Sequence, residues 1–348
     1  MKNKKVNLND ICFFQEGPGV RKHQYCTKGV KLINVSNLVN GEIDLSNSNR
    51  YISQEEAYGR YKHFLIDEGD LIIASSGIKV EYLDKKVAFI KKENLPLCMN
   101  TSTIRFKVKN KNELDILYLS YFLKSKNFKN QISKLITGSA QLNFGGSHLK
   151  KINLFLPELN VQKKVSTLLL LIDNTIKNMQ RKISILEQLT KSLFTMMFGD
   201  IKTNDKNWEI KKLGEVVQTQ YGTSKKATSI VGEFPILRMN NITYSGEMDY
   251  KDLKYIELSD SEKEKFLLKK GELLFNRTNS KELVGKTGLF NLDIPMAFAG
   301  YLIRIKPSNL IHSKFLLFFM NSEFMKKLLY NKAKNIVGMA NINAKELE

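Results

Sequence analysis

The sequence contains few of the residues that usually build a metal site or a catalytic centre. Only three cysteines occur, Cys12, Cys26 and Cys98, and none has the C-x-x-C spacing of a zinc or redox motif. The four histidines are scattered and form no H-E-x-x-H pattern. The six prolines are never adjacent, so the Asp/Asn-Pro-Pro-aromatic motif of amino-methyltransferases is absent. These absences argue against a disulfide framework, a metal site and a methyltransferase.

The chain also lacks a long apolar run, and it has fewer acidic than basic residues. The longest apolar run, "LLLLI" at 168–172, is too short to cross a bilayer, and the start "MKNKKVNLND" precedes no apolar segment. We therefore expect a soluble, cytoplasmic protein without a membrane partner. The 55 Lys and Arg against 35 Asp and Glu give a net charge of +20. This charge favours a polyanionic partner such as nucleic acid.

An internal repeat is the strongest pattern in the sequence, because residues 6–150 and 208–347 match in order. "VNLNDICFFQEG" (6–17) matches "WEIKKLGEVVQTQYG" (208–222), which aligns Gly17 with Gly222. "FLIDEGDLIIASS" (64–76) matches "FLLKKGELLFNRT" (266–278) without gaps, and "TGSAQLN" (137–143) matches "VGMANIN" (337–343). The alternative is a chance likeness between two unrelated α+β domains.

Each repeat has the pattern of a mixed α/β domain. Gly-Asp-Leu at 69–71 and Gly-Glu-Leu at 271–273 predict a turn that leads into a buried strand, and 114–124 and 314–320 have helical spacing. We predict an α+β fold of two tandem, similar mixed α/β domains joined by a long coiled-coil helix. The expected boundaries are 1–155 for the first domain, 156–199 for the helix, 200–207 for a polar linker and 208–348 for the second domain.

The segment between the repeats predicts one long helix. Pro157 precedes it, and no further proline or glycine occurs before Gly199. Its apolar residues recur in alternating steps of four and three, which is typical of a coiled-coil seam. This helix seam consists of Val165, Leu169, Ile172, Ile176, Met179, Ile183, Leu186, Leu193 and Met197. We expect another helix or another molecule to cover it, because a bare apolar seam of this length is unfavourable in water.

Two candidate catalytic motifs lack residues that their chemistry would require. "VGKTG" at 284–288 resembles the end of a phosphate-binding loop, but the required glycine at position 280 is Ser280. The carboxylates Asp67, Glu68 and Asp70 correspond in the second repeat to two lysines and a glutamate. A metal-dependent nuclease site is not expected to keep its ligands in one copy only. Binding therefore fits the sequence better than catalysis.

Candidate DNA-contacting residues lie at equivalent places in the two repeats. Small residues followed by basic ones suit phosphate contact, and Arg and Asn suit recognition of guanine and adenine edges. For each residue alone, an ordinary surface loop is an equally good interpretation. In the first repeat the candidates are Arg21, Lys22, Ser75, Ser76, Lys79, Gln141 and Asn143. In the second repeat they are Thr223, Ser224, Lys225, Lys226, Asn276, Arg277, Thr278, Asn279, Lys281, Asn341 and Asn343.

This layout resembles the specificity subunit of type I restriction-modification enzymes. The resemblance is carried by "LPELNVQKKV", by the helix ending "LEQLTKSLFTMMFGD", by the restart "WEIKKLGEV" at Trp208 and by the F-L-x-x-G-D/E-L strands. It implies a non-catalytic subunit with two target-recognition domains, which read the two halves of a bipartite site in double-stranded DNA. It also implies methyltransferase subunits and a restriction (motor-nuclease) subunit as partners. S-adenosylmethionine, Mg and ATP are then expected in those partners, with no cofactor or metal in this chain.

In that family a second long helix normally follows the second recognition domain and packs antiparallel on the first. Here Glu348 falls where "INLFLP" (152–157) would recur, so we expect this second helix to be absent. The helix seam would then be covered by the same helix of a second chain, by a methyltransferase subunit or by residues beyond Glu348. Three alternatives remain open: a truncated specificity protein that dimerises to alter specificity, a nuclease or methyltransferase acting alone, and a coiled-coil interaction protein without a DNA function.

Overall fold

The computed structural model describes residues 4–47, 49–136, 141–229, 232–336 and 339–348. The chain divides into two compact units, unit 1 (Met1–Gln180) and unit 2 (Arg181–Glu348). Both units combine helices with small sheets, which confirms the predicted mixed α/β class. No helix among the described residues has the length and apolarity needed to cross a membrane.

Unit 1 is built on an antiparallel four-stranded sheet of order β2-β11-β7-β9, beside a three-stranded sheet of order β10-β3-β6. Its strands are β1 Lys4–Asn7, β2 Cys12–Glu16, β3 Val30–Ile33, β4 Leu38–Val39, β5 Glu42–Ile43, β6 Tyr51–Ile52, β7 Leu71–Ala74, β8 Ser76–Ile78, β9 Val87–Phe89, β10 Leu97–Met99, β11 Thr103–Val108, β12 Leu142–Asn143 and β13 Asn153–Leu156. Its helices are α1 Leu8–Ile11, α2 Gln54–Tyr58, α3 Ile116–Lys124, α4 Lys126–Leu135, α5 Gly146–Leu149 and the first part of α6 Leu159–Phe198.

Unit 2 repeats this architecture with a four-stranded sheet of order β14-β21-β17-β19 and a three-stranded sheet of order β16-β15-β20. Its strands are β14 Val217–Tyr221, β15 Phe234–Leu237, β16 Lys254–Ile256, β17 Leu273–Asn276, β18 Thr278–Asn279, β19 Thr287–Leu289, β20 Ala297–Phe298, β21 Leu302–Pro307, β22 Lys334–Ile336 and β23 Met339–Asn341. Its further helices are α7 Leu213–Val216, α8 Asp260–Phe266, α9 Ser313–Met320, α10 Glu323–Lys332 and α11 Ala344–Leu347.

The predicted strand after each Gly-Asp/Glu turn is the buried centre of its unit. All four residues of β7 and all four of β17 are buried, as expected for a strand with partners on both sides. The turn glycines Gly69 and Gly271 have φ of 82° and 93°, a conformation that side chains other than glycine rarely adopt. The same local chemistry therefore starts the same strand in both units.

A largely buried arginine network recurs at the aligned positions and supports the internal repeat. In unit 1 Arg105 contacts Asp70 at 3.1 Å and also donates to the side-chain oxygen of Gln15. In unit 2 Arg304 lies 3.6 Å from Glu272 and donates to the side-chain oxygen of Gln220. Charged groups are rarely buried unless they are paired, so each network holds its four-stranded sheet to the preceding loop.

A lysine bound to two backbone carbonyls recurs in the same way, half-buried as Lys86 in unit 1 and buried as Lys286 in unit 2. The ammonium of Lys86 donates to the carbonyls of Val35 at 3.0 Å and Leu38 at 2.6 Å. The ammonium of Lys286 donates to the carbonyls of Met239, at 3.1 Å, and Ile242. Burial lowers the pKa of both lysines. Lys286 belongs to "VGKTG", so its side chain is part of the folded scaffold and is not free to hold a phosphate.

The predicted long helix is present as α6, which has 40 residues and a length of about 60 Å at roughly 1.5 Å per residue. Its start is fixed to unit 1 by Gln162, which is 0% exposed. The Gln162 amide group donates to the carbonyls of Glu113 and Pro157, and its oxygen accepts from the backbone N–H of Asp115. Further along α6, Asp173 accepts from the Tyr121 hydroxyl at 2.9 Å.

The end of α6 is capped by the segment expected to be a linker and by Trp208, the residue that follows it. Lys206 donates to the carbonyls of Met196 and Met197, and the Trp208 indole N–H donates to the carbonyl of Phe198. These contacts satisfy carbonyl groups that have no partner inside a helix. Within unit 2, the ring of Phe194 stacks on Phe315 of α9, and the ring of Phe198 meets Phe315 edge to face.

The helix seam is exposed in this single chain, apart from the half-buried Leu169. Met179 and Leu186 are each 59% exposed, and Ile183 is 57% exposed. Apolar exposure also extends beyond the seam to Leu168, Leu171, Ile185, Leu189 and Met196. The covering of the seam by another helix therefore stays a prediction.

Candidate nucleic-acid interface

Two short strand pairs bring together candidate residues that are far apart in the sequence. In unit 1, β8 pairs with β12, which places Ser76 opposite Asn143. In unit 2, β18 pairs with β23, which places Thr278 opposite Asn341. Each pair follows directly after the buried central strand of its unit. The structure thus joins the residues predicted after the Gly-Asp/Glu strand with those predicted near the end of the repeat.

The strand pairing corrects the alignment at this end of the repeat by two residues. Phe144 donates its backbone N–H to the carbonyl of Ser75, and Ile342 donates to the carbonyl of Arg277. Asn143 therefore corresponds to Asn341, whereas the sequence alignment matched it with Asn343. A gapless match of the short "TGSAQLN" and "VGMANIN" segments cannot detect such a shift, because both asparagines of the second segment fit.

In unit 2 the candidates Arg277, Thr278 and Asn341 form a connected cluster with Tyr221, which we call the Arg277 cluster. The guanidinium carbon of Arg277 lies 4.8 Å from the centre of the Tyr221 ring. Its Nη2 lies 3.3 Å from the side-chain oxygen of Asn341, and the Asn341 amide nitrogen lies 2.6 Å from the hydroxyl of Thr278. Tyr221 is 42% exposed, and Arg277 is half-buried. A guanidinium held in one plane at a surface is suited to bidentate recognition.

Unit 1 has different side chains at the same places. Ser75 stands where unit 2 has Arg277, and Glu16 stands where it has Tyr221. The Glu16 carboxylate accepts from the backbone N–H of Gly146, the first residue of α5. In unit 2 the Tyr221 hydroxyl accepts from the N–H of Ala344, the first residue of α11, at 2.8 Å. One scaffold thus carries a serine and an acid in unit 1, and an arginine and an aromatic ring in unit 2.

Several other candidates are buried and lie behind the surface. Ser75 is 3% exposed, Thr278 is 5%, Thr223 is 6% and Asn276 is 0%. The hydroxyl of Thr223 accepts from the N–H of Lys225 and shapes its own loop. Direct contact of these four side chains with DNA would need a movement of the chain, so they are better explained as supports for their neighbours.

Two asparagines of unit 2 are used for local structure. Asn343 caps α11, since its side-chain oxygen accepts from the N–H of Glu346 at 2.9 Å. The Asn279 side-chain oxygen accepts from the N–H of Ser280. A helix cap accounts for Asn343 without a ligand.

The remaining candidates are at least partly accessible, and most are basic. Lys225 is paired with Glu262 at 2.9 Å, and the Lys281 ammonium lies 4.6 Å from the centre of the Tyr330 ring. Hydrogen bonds from Ser259 and Lys225 lower the pKa of Glu262 to about 2, so this carboxylate stays charged at neutral pH. Among the described residues, the exposed candidates for which no such contact is seen are Arg21, Lys22, Lys79, Asn143, Ser224 and Lys226, and Gln141 is exposed as well.

Sequence reasoning did not select Tyr221 or Glu16. The sequence alignment could have indicated both residues, because Glu16 and Tyr221 align with each other and directly precede the aligned glycines, Gly17 and Gly222. A Cβ added to Gly17 or Gly222 would come within 2.1 or 2.3 Å of a backbone oxygen, so both turns need glycine. An exchange of acid for aromatic beside an otherwise equivalent turn marks a position where the two units differ in surface chemistry.

No group of three or more His, Cys, Asp or Glu side chains that could hold a metal ion occurs in the described ranges. The site is built from amide, hydroxyl, aromatic and basic groups. The fold and the site together define a duplicated α/β protein, in which two copies of one scaffold carry different polar residues at the same place.

The chain belongs to the family described as type I restriction modification DNA specificity domain, whose model matches residues 1–188 and 205–348. The specificity subunit of the type I restriction enzyme EcoKI from Escherichia coli (strain K12) is 28% identical over 247 residues, which cover 66% of this chain and 53% of that protein. The MjaVIII specificity subunit from Methanocaldococcus jannaschii is 26% identical over 208 residues, covering 58% of this chain and 47% of that protein. The chain thus spans about half the length of these relatives.

A solved structure has the same fold. The crystal structure of a type-I restriction-modification system S subunit from M. genitalium aligns with 95% of this chain and 79% of its own chain, with a TM-score of 0.60 and 16% sequence identity. At this identity the likeness concerns the fold. It agrees with the two related α/β units and the long helix between the repeats.

Proposed function

We propose that this chain is a non-catalytic DNA-specificity subunit that reads a bipartite duplex target. The first recognition domain would be residues 1–155 and the second 208–348, with the helix at 156–199 and the linker at 200–207. The observation that carries the proposal is the contrast between framework and surface. The two units keep the Arg105 and Arg304 networks, but they differ at the site itself, where unit 1 has the exposed Glu16 and the buried Ser75 and unit 2 has the exposed Tyr221 and the half-buried Arg277. Two half-sites of different sequence require this combination.

The positive charge supports binding to the DNA backbone. A net charge of +20 is spread over a chain in which Arg21, Lys22 and Lys226 are exposed. Phosphate contacts of such residues would add affinity and a strong dependence on salt, whereas base contacts would supply the specificity.

The partners belong to the same proposal. Methyltransferase subunits would supply the modification chemistry with S-adenosylmethionine, and a restriction subunit with Mg and ATP would supply cleavage, all in the cytoplasm. The exposed apolar surface of α6 gives these subunits a place to bind, because apolar surface of this extent gains stability when it is covered.

Selection from a randomised duplex library tests the proposal. The full chain, alone and together with its methyltransferase subunit, is expected to enrich two short fixed sequences separated by an unspecified gap. Affinity for the enriched duplex should fall steeply between 50 and 200 mM salt. Indifference to sequence even with the methyltransferase present would overturn the proposal. Turnover of DNA by the purified chain alone, with Mg²⁺ and S-adenosylmethionine, would overturn its non-catalytic part.

A second candidate, dimerisation through α6 to alter specificity, is favoured by the exposed helix seam. It predicts a dimer mass in sedimentation experiments on the purified chain. Ile183→Lys, on the seam, should then yield a monomer, whereas Ile185→Lys, which is equally apolar but off the seam, should leave the dimer intact. A monomer mass for the unchanged chain contradicts this candidate.

A further inference from the structure

We infer that Arg277 reads a guanine in the half-site bound by unit 2, and that Tyr221 is the residue that positions Arg277 for this contact. The inference rests on the proposed function and deepens it, because it assigns one base to one side chain.

The backbone of Arg277 is fixed on both sides. Its N–H donates to the carbonyl of Tyr301 at 3.1 Å, and its carbonyl accepts from the N–H of Ile342 at 2.9 Å. The residue lies between β17, which is fully buried, and β18, which is paired with β23. A side chain that starts from a rigid strand connection needs little further ordering when it binds.

The guanidinium group is oriented as well. The Tyr221 ring supports one face at 4.8 Å, and the side-chain oxygen of Asn341 accepts from Nη2 at 3.3 Å. Asn341 is in turn held by Thr278, and the Tyr221 hydroxyl is held by the N–H of Ala344. The plane of the guanidinium is therefore set by two groups that are themselves fixed.

Among the described residues, no carboxylate lies against the remaining donors of Arg277. Arg105, Arg238 and Arg304 are each paired with an acidic side chain. In the described part of the chain, Arg277 contacts only an aromatic ring and a neutral amide. Its outer N–H groups are left for a ligand with two adjacent acceptors. In the major groove, the O6 and N7 atoms of guanine form such a pair, and arginine is its commonest partner.

Unit 1 cannot make this contact at the equivalent place. Its residue there is Ser75, which is 3% exposed, and Glu16 replaces the supporting tyrosine. The requirement for guanine at this point of the scaffold is therefore confined to the half-site of unit 2.

The test measures affinity of the full chain, with its methyltransferase subunit present, for the selected duplex and for duplexes with each base pair changed in turn. For the unchanged chain, replacement of one guanine in the unit 2 half-site should lower the affinity about ten- to a hundredfold. With Arg277→Ala that position should become indifferent, while every other position keeps its preference. Arg277→Lys should retain only part of the preference, because an ammonium lacks the planar fork.

Variants of Tyr221 test its positioning role. Tyr221→Phe keeps the ring and should keep the guanine preference, whereas Tyr221→Ala should reduce it severalfold at that position only. Arg50→Ala is the matched control, since Arg50 lies over Tyr25 at 5.6 Å in unit 1. This control should leave the guanine position unchanged. Circular dichroism and thermal unfolding of every variant separate a local effect from misfolding.

Three results would overturn the inference. Loss of affinity by the same factor at all positions in Arg277→Ala would identify a phosphate contact. A profile that does not respond to Arg277→Ala, although the chain still selects a sequence, would refute the inference and leave the proposed function standing. Failure of the unchanged chain to select any sequence would refute both.

Discussion

Replacement of Asn276 by alanine, which is the residue at the aligned position of unit 1, is expected to stabilise unit 2. The Asn276 side chain is 0% exposed, and neither its oxygen nor its nitrogen has a hydrogen-bond partner among the described residues. A buried polar group without a partner costs about 1–3 kcal/mol, because it has lost its water and gained nothing in return. Ala74 fills the aligned position in β7 and is also buried.

The magnitude follows from two opposed effects. Asn276→Ala removes the unpaired amide and leaves a void of about one water volume, roughly 30 Å³. At ~24 cal/mol per Å³ such a void costs about 0.7 kcal/mol. The net gain in the free energy of unfolding is therefore about 1 kcal/mol, since relief of the amide exceeds the cost of the void. A unit of this size should unfold about 2–4 °C higher.

The assay is thermal and urea unfolding of the full chain, followed by the fluorescence of Trp208. This residue is the only tryptophan in the sequence and lies in unit 2. A loss of more than about 1 kcal/mol in Asn276→Ala would refute the reasoning. It would show that the amide has a partner, such as an internal water molecule.

Asn241→Ala is the matched control, because Asn241 is equally buried but fully bonded. Its oxygen accepts from the N–H of Arg238 at 2.9 Å, and its nitrogen donates to the carbonyls of Asp249 and Lys251. At about 1 kcal/mol for each hydrogen bond, and with its partners left unpaired, the variant should lose about 3 kcal/mol or more. If Asn276→Ala raises the free energy of unfolding and Asn241→Ala lowers it, the difference must come from hydrogen bonding, because both side chains are equally buried.

Three further predictions concern the scaffold. Lys286→Met should lower the stability of unit 2 by at least about 2 kcal/mol in urea unfolding, because two buried carbonyls lose their donor; an unchanged midpoint would contradict this. Gln162→Ala removes three hydrogen bonds and should increase hydrogen exchange in the first turns of α6 without changing its last turns; uniform protection would contradict it. The pKa of Glu262, about 2, implies that its ion pair with Lys225 persists in the folded chain until the pH falls towards 2, and that the stabilisation by this pair is complete above about pH 4.5 and is lost as the pH falls from there towards 2. A carbon-13 NMR titration should place the midpoint near 2 and show it higher in Lys225→Ala, and a midpoint near 4.5 in the unchanged chain would refute the assignment.

The repeat, the central strands and α6 could be predicted from the sequence because they depend on local patterns. A glycine, an acid and three apolar residues define the start of β7 and β17, and the steps of four and three define the helix. The capping of α6 by Lys206 and Trp208 was missed, because a polar stretch such as 200–207 looks the same whether it caps a helix or only links two domains.

The candidate site was predicted in part. Arg277 and Asn341 were selected by residue type, but their contact joins positions 64 residues apart and depends on strand pairing. The strand register there differs by two residues from the sequence alignment, so their partners could not be derived from it. Tyr221 was missed for the same reason: its role comes from the side chain that lies on it, and the sequence does not show which strand ends meet.

The two buried arginine networks indicate why this scaffold can carry different surface residues. Removal of one partner of a buried ion pair costs several kcal/mol, so Arg105 and Arg304 must each keep an acid and a glutamine. The networks even accommodate the exchange of Asp70 for the longer Glu272. The distance from guanidinium nitrogen to carboxylate oxygen is 3.1 Å for Arg105 and Asp70 and 3.6 Å for Arg304 and Glu272. The exchange of the buried Ser75 for the half-buried Arg277 disturbs no such pair. A duplicated unit can therefore change the residues that face a ligand at little cost in stability, provided that its interior network is kept.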